Sequence, residues 1–295
     1  MKLGFEQDDN AVEQIDGMTY TFPYTMHRRD FSQFIAPWHW HEELEFDYAY
    51  QGSIIVETLN QVYTIHQGEA YFINTNVMNT KRKGPGQKSA MEHAHLFHPI
   101  LLTGHYRSVF ETKYLDPILK NLSIEVVIIR ESTPSGRQFF KLLQQLTQLD
   151  GKVDNEFQIR NLLSQAWLAL MDEINTQQQH ALTTTPYAQE RIKQMISFIH
   201  RHFDQKVTVA DIAAHVGVSE KECSRAFHKY FHQSPIDYLI QYRIDQAKQR
   251  LIKTDDPITT IALSVGFNNS AYFTKIFKQR TNLTPKAYRM SQTTK

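Results

Sequence analysis

The chain has 295 residues, 32 Lys and Arg against 31 Asp and Glu, a formal net charge of +1 and one cysteine. That length allows two domains with separate cores, and the lone Cys223 excludes an internal disulfide and fits a reducing compartment. The acidic start (Glu6, Asp8, Asp9) lacks a signal-peptide pattern and no run reaches the roughly 18 apolar residues of a membrane span, so a cytoplasmic protein without a membrane partner is expected.

The near-neutral total hides a split. Residues 1–185 hold 15 basic and 22 acidic side chains, a balance of −7, whereas residues 186–295 hold 17 and 9, a balance of +8. A basic tail on an acidic body suits a phosphate-facing module joined to something else.

In chain order, residues 20–130 read as strands. Aromatic and β-branched runs recur at Tyr20–Tyr24, Leu44–Tyr50, Ser53–Leu59, Gln61–His66, Ala70–Ile73, Ala94–Phe97 and Glu125–Ile129. Gln51-Gly52 and Gln67-Gly68 punctuate them, and Leu59-Asn60-Gln61 suits a hairpin connection. Short, closely spaced strands predict a sandwich or barrel rather than a parallel sheet.

Within this region stands His39-x-His41-x-x-x-Glu45, with Gly52 beyond it. Two imidazoles on alternate strand residues and a carboxylate further along can share a metal ion. The spacing is similar to the first motif of the cupin family of β-barrels. The resemblance implies a second motif over Phe72–Asn79, where Asn79 takes the place of the histidine of metal-binding cupins. No metal or other cofactor is therefore expected, although His93, His95 and His98 are further histidines that can complete such a site. The favoured reading is a polar-lined ligand pocket drawn from His39, His41, Glu45, Tyr48, Tyr50, Asn74, Asn79, His93 and His95. A shared metal, or plain surface and core histidines, are the alternatives. Aromatic residues such as Tyr48, Tyr50, Tyr63 and Tyr71 suit stacking on a sugar face, but more often fill ordinary cores.

Residues 135–175 change period. Phe139, Leu142, Leu143, Leu146 and Leu149 form one apolar stripe, and Ile159, Leu162, Leu163, Ala166, Trp167, Leu170 and Ile174 a second, with Gly151 and Asp154 between them. Two such helices make an antiparallel hairpin with more apolar surface than it buries alone, so it packs on the barrel, on a second copy of the chain, or both. Residues 176–185 are polar, rich in Gln and Thr, and read as a flexible linker.

The last stretch writes one pattern twice. Ile212-Ala213, Val216-Gly217, Cys223-Ser224-Arg225, Phe227 and Ser234-Pro235 are matched by Ile261-Ala262, Val265-Gly266, Phe273-Thr274-Lys275, Phe277 and Thr284-Pro285. The offset is 49 residues before the turn and 50 after it, so the second turn is one residue longer. Thr208 with Asp211 and Ser219 with Glu222 are capping boxes, Asp256 suits an N-cap before Pro257, and Gly217 and Gly266 suit helix ends. Helix, glycine-containing turn and helix is the helix-turn-helix unit, whose second helix enters the DNA major groove. Pro186–Phe203 reads as a support helix and Asp237–Lys253 as the helix joining the units.

This stretch, roughly Pro186 to Arg289, resembles the AraC/XylS family of transcription regulators, including Ile261–Phe267 and the closing Thr284–Arg289. It departs from the family where His232 and Asn282 replace the usual glycine before Ser-Pro and Thr-Pro, and Asn tolerates left-handed backbone better than His. Removing the core-facing positions Cys223, Ala226, Phe227, Tyr230, Tyr272, Phe273, Ile276 and Phe277 leaves Glu220, Lys221, Ser224, Arg225 and His228 outward on the first helix and Asn269, Ser270, Ala271, Thr274, Lys275 and Lys278 on the second, and all of these but His228 are the DNA-facing candidates. Matching positions in the family point to Lys221, Ser224, Arg225, Ser270, Ala271 and Lys275 as base-facing, while Lys229, Lys278 and Arg280 suit phosphates.

The expectation is an α+β chain: a cupin-like effector barrel over 1–134, a helical hairpin and dimer contact over 135–175, a linker, and a double helix-turn-helix domain over 186–295. The resemblance implies a homodimeric activator that binds double-stranded DNA and answers to a small-molecule effector such as a sugar, with RNA polymerase a further candidate partner. Two other readings compete with it: a metal-dependent cupin enzyme with an accessory helical domain, and a helical module that binds protein.

Overall fold

Period-two alternation builds the first half of the chain. The computed structural model describes residues 6–7, 12–32, 34–150, 154–177 and 186–293. Its strands are β1 (Glu6–Gln7), β2 (Glu13–Gln14), β3 (Tyr24–Asp30), β4 (Ala36–His39), β5 (Leu44–Gln51), β6 (Ile54–Thr58), β7 (Val62–Ile65), β8 (Ala70–Ile73), β9 (Asn79–Lys83), β10 (Met91–Phe97) and β11 (Val126–Ile129). Apart from the short β1–β2 pair they form a five-stranded sheet in the order β11-β8-β5-β10-β3 and a four-stranded sheet in the order β4-β9-β6-β7, with every paired strand antiparallel.

Three differences from the sequence reading stand out. The strand expected over Tyr20–Tyr24 instead runs from Tyr24 to Asp30, and β4 and β9 were not foreseen. For β3 and β9 the reason is the same. β3 reads YTMHRRD and β9 reads NTKRK, and in both the inward side chain is a charge, Arg29 and Lys81, so no apolar alternation marks the strand.

Each strand of the larger sheet has two different faces. On β5, Leu44, Phe46 and Tyr48 point one way and Glu45, Asp47 and Ala49 the other. The first face packs on helices: α1 (Ile100–Thr103), a π-helical turn at Phe110–Leu115, α2 (Asp116–Leu119), α3 (Pro134–Gln148) and α4 (Glu156–Thr176). Phe46 lies at its centre, edge-on to Phe139 at 5.0 Å and stacked with Trp167 at 6.5 Å. The α3–α4 hairpin therefore covers the sheet with both of its expected stripes. The other face looks across to the smaller sheet, with Tyr71, Ile73 and Val126 meeting Ala36, Ile54, Val56 and Ile65.

Two compact units result, one built on Val12–Pro186 and the other on Tyr187–Lys295. α4 runs through Thr176, so the helix takes in the start of the expected linker; residues 178–185, and Gly151 of the hairpin turn, lie outside the described residues. Among the described residues, the helices that follow are α5 (Pro186–His202), α6 (Val209–His215), α7 (Glu220–Phe231), α8 (Pro235–Lys253), α9 (Ile258–Ser264), α10 (Ser270–Thr281) and α11 (Pro285–Thr293). None of the described helices is long and apolar enough to cross a membrane.

A polar contact ties α3 to the larger sheet. His95 of β10 is fully buried, with Nδ1 2.9 Å from the Tyr24 hydroxyl and Nε2 3.2 Å from Thr147 Oγ1 on α3. Burial, aided by the neighbouring His93, pushes its pKa down to about 3 from an ordinary 6.5. The unfolded chain therefore binds the extra proton first, and the stabilising contribution is complete above pH ~6.5 and lost as pH falls toward 3. All three tryptophans (Trp38, Trp40 and Trp167) lie in this unit, so their fluorescence follows its unfolding. In urea titrations, wild type is expected to lose about 2 kcal/mol more between pH 7 and pH 5 than His95→Gln. Equal losses in the two proteins would contradict the buried neutral imidazole.

Candidate nucleic-acid interface and buried ionic layer

The repeated unit is built from its caps outward. Thr208 accepts from the backbone N–H of Asp211 and Ser219 from that of Glu222, and both carboxylates answer the cap residue, making two full capping boxes at α6 and α7. Gly217 and Gly266 sit at φ 67° and 84°, where the chain turns between the helices of each unit. α7 starts after Ser219 and α10 after Asn269, 50 residues on, so the extra residue falls in the second turn. The cap of α9 is Pro257 rather than Asp256, whose carbonyl accepts instead from Arg289 Nη2 at 2.7 Å.

The recurring Ser-Pro and Thr-Pro have a plain local cause. Ser234 and Thr284 accept from the N–H groups of Asp237 and Ala287, and the following prolines start α8 and α11. His232 and Asn282, which stand where the family usually has glycine, both adopt left-handed backbone, at φ 53° and 61°. The closing Tyr288-Arg289 also serves packing: Tyr288 lies edge-on to Phe277 at 5.5 Å, and Arg289 Nε donates to Leu251 O at 3.2 Å.

Burial separates the two sides of α7 and α10. Cys223, Phe227 and Tyr230 on α7, and Phe273 and Phe277 on α10, are buried, whereas Ala226 and Ile276 are half-buried. Tyr272, expected in the core, is 48% exposed and only grazes Phe267, at 6.1 Å between ring centres. Glu220, Lys221, Arg225, Ala271, Lys275 and Lys278 are exposed, and Ser224, Ser270 and Thr274 half-buried. Asn269 is exposed but its amide oxygen is already engaged, accepting from the N–H groups of Ala271 and Tyr272. Thr274 Oγ1 likewise donates to Ser270 O.

The nine pocket candidates of the N-terminal unit do not share one site. Tyr48, Tyr50, His93 and His95 lie on the helix-covered face: Tyr48 packs edge-on to Phe140 at 5.4 Å and Tyr50 rests on His93 at 4.4 Å. Asn74 donates to the carbonyls of Ile118 and Ile124, at 3.0 and 2.9 Å, and so ties a connection down. Tyr71, offered for sugar stacking, is buried and donates to Glu92. Of the nine, His39, His41, Glu45 and Asn79 point between the sheets, Asn79 being paired to His39 across β4 and β9 and on the same side of β9 as Lys81.

Between the sheets lies a layer of buried charge that the sequence reading missed in large part. Lys81 Nζ, with no exposed surface, sits 2.9 Å from Glu45, 2.9 Å from Asp47 and 3.3 Å from Glu92. Arg29 reaches Glu45 at 2.5 Å, Glu13 at 3.2 Å and Glu92 at 3.6 Å. His41 Nε2 lies 3.7 Å from Glu45 and 3.9 Å from Glu13, and His39 Nε2 is 3.5 Å from Glu13.

Burial and partners act against each other here. Burial alone would raise Glu45, but Lys81 and then Arg29 hold it well below the usual carboxylate range. Asp47, buried beside Glu45, is held well above that range. Burial would lower Lys81, yet Asp47, Glu45 and Glu92 hold it above its ordinary value, so the ammonium stays charged. Burial brings His39 down to about 4, whereas Glu45 and Glu13 outweigh burial and raise His41.

Removing one member of such a layer leaves its partners charged in a medium that does not solvate them. Lys81→Met is expected to destabilise this unit by about 3–5 kcal/mol in urea unfolding followed by tryptophan fluorescence. A change below about 1 kcal/mol, the scale of an exposed pair, would show that the three carboxylates do not depend on the ammonium.

Comparison with known proteins agrees with the C-terminal geometry. A helix-turn-helix domain model matches residues 212–291. The HTH-type transcriptional regulator YdeC of Bacillus subtilis is 24% identical over 290 residues, which is 97% of this chain and 98% of that one. An HTH-type transcriptional regulator of Staphylococcus aureus is 35% identical over 100 residues, 34% of this chain but 13% of its own length. Among solved structures, a transcriptional regulator with an AraC-type DNA-binding domain from Chromobacterium violaceum is similar over 37% of this chain and 96% of its own, at 27% identity and a TM-score of 0.35. Fatty-acid-bound ToxT of Vibrio cholerae is similar over 90% of this chain and 94% of its own, at 14% identity and a TM-score of 0.46. The relatives are transcriptional regulators rather than enzymes, and what this chain shares with them across residues 212–291 is a helix-turn-helix domain.

Proposed function

We propose that the two helix-turn-helix units read one bipartite DNA site, α7 in one major groove and α10 in the next. The observation that carries this is the repeat itself: two capped helices of 12 residues, each with a buried apolar side and an exposed side bearing Lys or Arg, within a segment of balance +8. α8 joins the units through 19 residues, about 28 Å of helix, against the ~34 Å between successive grooves on one side of a duplex. Lys221, Ser224 and Arg225, and Ser270, Ala271 and Lys275, are assigned to bases, with Arg225 able to take guanine through a bidentate contact. Lys229, Lys278 and Arg280 hold phosphates. Asn269 fixes the start of α10 through its cap rather than offering its amide oxygen to a base.

The N-terminal unit is the responsive part in this reading. Family resemblance supports a small metabolite such as a sugar as effector, activation as the output, and a homodimer formed through the α3–α4 hairpin. On that hairpin Phe157 and Leu168 remain 79% and 53% exposed while the opposite stripe is buried on the sheet, which supports a second apolar contact there. An effector shifts the regulator only by preferring one arrangement of the dimer over another.

Selection from random duplex DNA with full-length protein tests the DNA reading. A motif of two blocks about one helical turn apart is expected, with Arg225→Ala degrading one block at a cost of about 1–3 kcal/mol. Lys278→Ala is expected to weaken all sequences alike and to reduce the salt slope by about one. Salt-sensitive binding without a motif would overturn the bipartite reading.

A further inference from the structure

We propose that Glu13, His39 and His41 hold one divalent first-row transition-metal ion, of which Zn2+ is the type, inside the N-terminal unit. The inference is independent of the DNA reading above. Backbone pairing brings the three together: Glu13 N–H donates to Trp40 O at 3.0 Å, and Val12 bridges Trp40 in parallel, so Glu13 sits beside the residue between the two histidines. The carboxylate oxygen Oε2 of Glu13 and the two Nε2 atoms all lie within 4.8 Å of one another, and all three side chains are buried.

The imidazoles are oriented as ligands. His39 Nδ1 is 2.8 Å from Pro37 O and His41 Nδ1 is 2.9 Å from Glu43 O. A carbonyl only accepts, so each Nδ1 carries its hydrogen, and whenever the ring holds no second proton its Nε2 lone pair is turned toward Glu13. Fixing the tautomer by a backbone carbonyl behind the ring is the usual support of a metal-bound histidine.

What the Nε2 lone pair of His41 then meets is another acceptor. Glu13 Oε2 is 3.5 Å from His39 Nε2 and 3.9 Å from His41 Nε2, and neither Glu13 Oε2 nor His41 Nε2 makes a hydrogen bond although both are buried. Glu45 Oε2 is in the same condition, 3.7 Å from His41 Nε2. Acceptors aimed at one another repel unless a cation lies between them. A proton between N and O would draw them to about 2.7–2.9 Å. Two ligands of one tetrahedral ion, each about 2.0–2.1 Å from it, stand about 3.3 Å apart, closer to the spacing seen here. Two imidazole nitrogens and a carboxylate oxygen suit Zn2+ and its neighbours, and three protein donors leave a coordination position over.

The adjoining cluster of Glu45, Asp47 and Glu92 is not a second site of this kind, because Lys81 Nζ already lies among its oxygens. Glu13 also supplies what the histidine motif lacks, since Asn79 turns its amide nitrogen to Val77 O at 3.1 Å.

The test is a titration of chelator-treated, full-length protein with Zn2+ against a chromophoric competitor, repeated with Co2+ read by its visible absorption. One equivalent is expected to bind wild type, and Glu13→Gln and His41→Ala are expected to weaken binding by at least about 10–100-fold. Far-ultraviolet circular dichroism and tryptophan fluorescence identify any variant that does not fold; for these, the Co2+ spectrum of wild type carries the test, and nitrogen–oxygen ligation supports the site. A folded wild type that binds no stoichiometric metal, or that binds it equally well after Glu13→Gln, overturns the proposal and leaves a proton as the bridging cation.

Discussion

The N-terminal unit depends on an ammonium group with no access to water. Lys81 lies among Glu45, Asp47 and Glu92, and Arg29 joins Glu45 and Glu92 to Glu13. Such a layer contributes little net stability, because desolvation offsets most of the attraction. It contributes definition instead: Lys81 comes from the smaller sheet and its three partners from the larger, so another register would strand charge in the interior. The helix-covered face of the same sheet follows the opposite plan, with Phe46, Phe72, Phe97, Phe139 and Trp167 packed around one another.

The C-terminal unit is held by other means. Its helices are short, and their ends are secured individually by capping boxes, an Asn cap and prolines in the first turn. Arginines do the longer-range work: Arg243 donates to the carbonyls of Phe203 and Gln205, both at 2.6 Å, and Arg289 joins α11 to the end of α8. Packing and capping thus use up one side of each repeated helix and the termini, leaving the other side free for DNA.

How much of this the sequence discloses follows from which side chains face inward. The α3–α4 hairpin and the repeated helices were legible because apolar residues mark their buried sides, and the caps at Thr208 and Ser219 because an acidic residue stands three places on; α1, α2 and the cap at Asn269 were not foreseen. β9 and most of β3 were hidden because their inward residues are Lys81 and Arg29. The pocket estimate failed for a reason that parity on a strand exposes: Glu45 and Tyr48 differ by an odd number of residues, so they face opposite sides of β5. Glu92 and the pair His93 and His95 are divided in the same way on β10. Glu13 could not have been found, since no local pattern links it to His39 and His41; only the pairing of residues 12–14 with Trp40 brings it there.

In the proposed function α7 and α10 contact one duplex together. Hydroxyl-radical footprinting of the full-length protein on its selected site measures this most directly. Two protected segments on one side of the duplex, centred about 10 base pairs apart, are the predicted result. A single protected segment, or protection spread evenly along the duplex, would contradict simultaneous reading by α7 and α10.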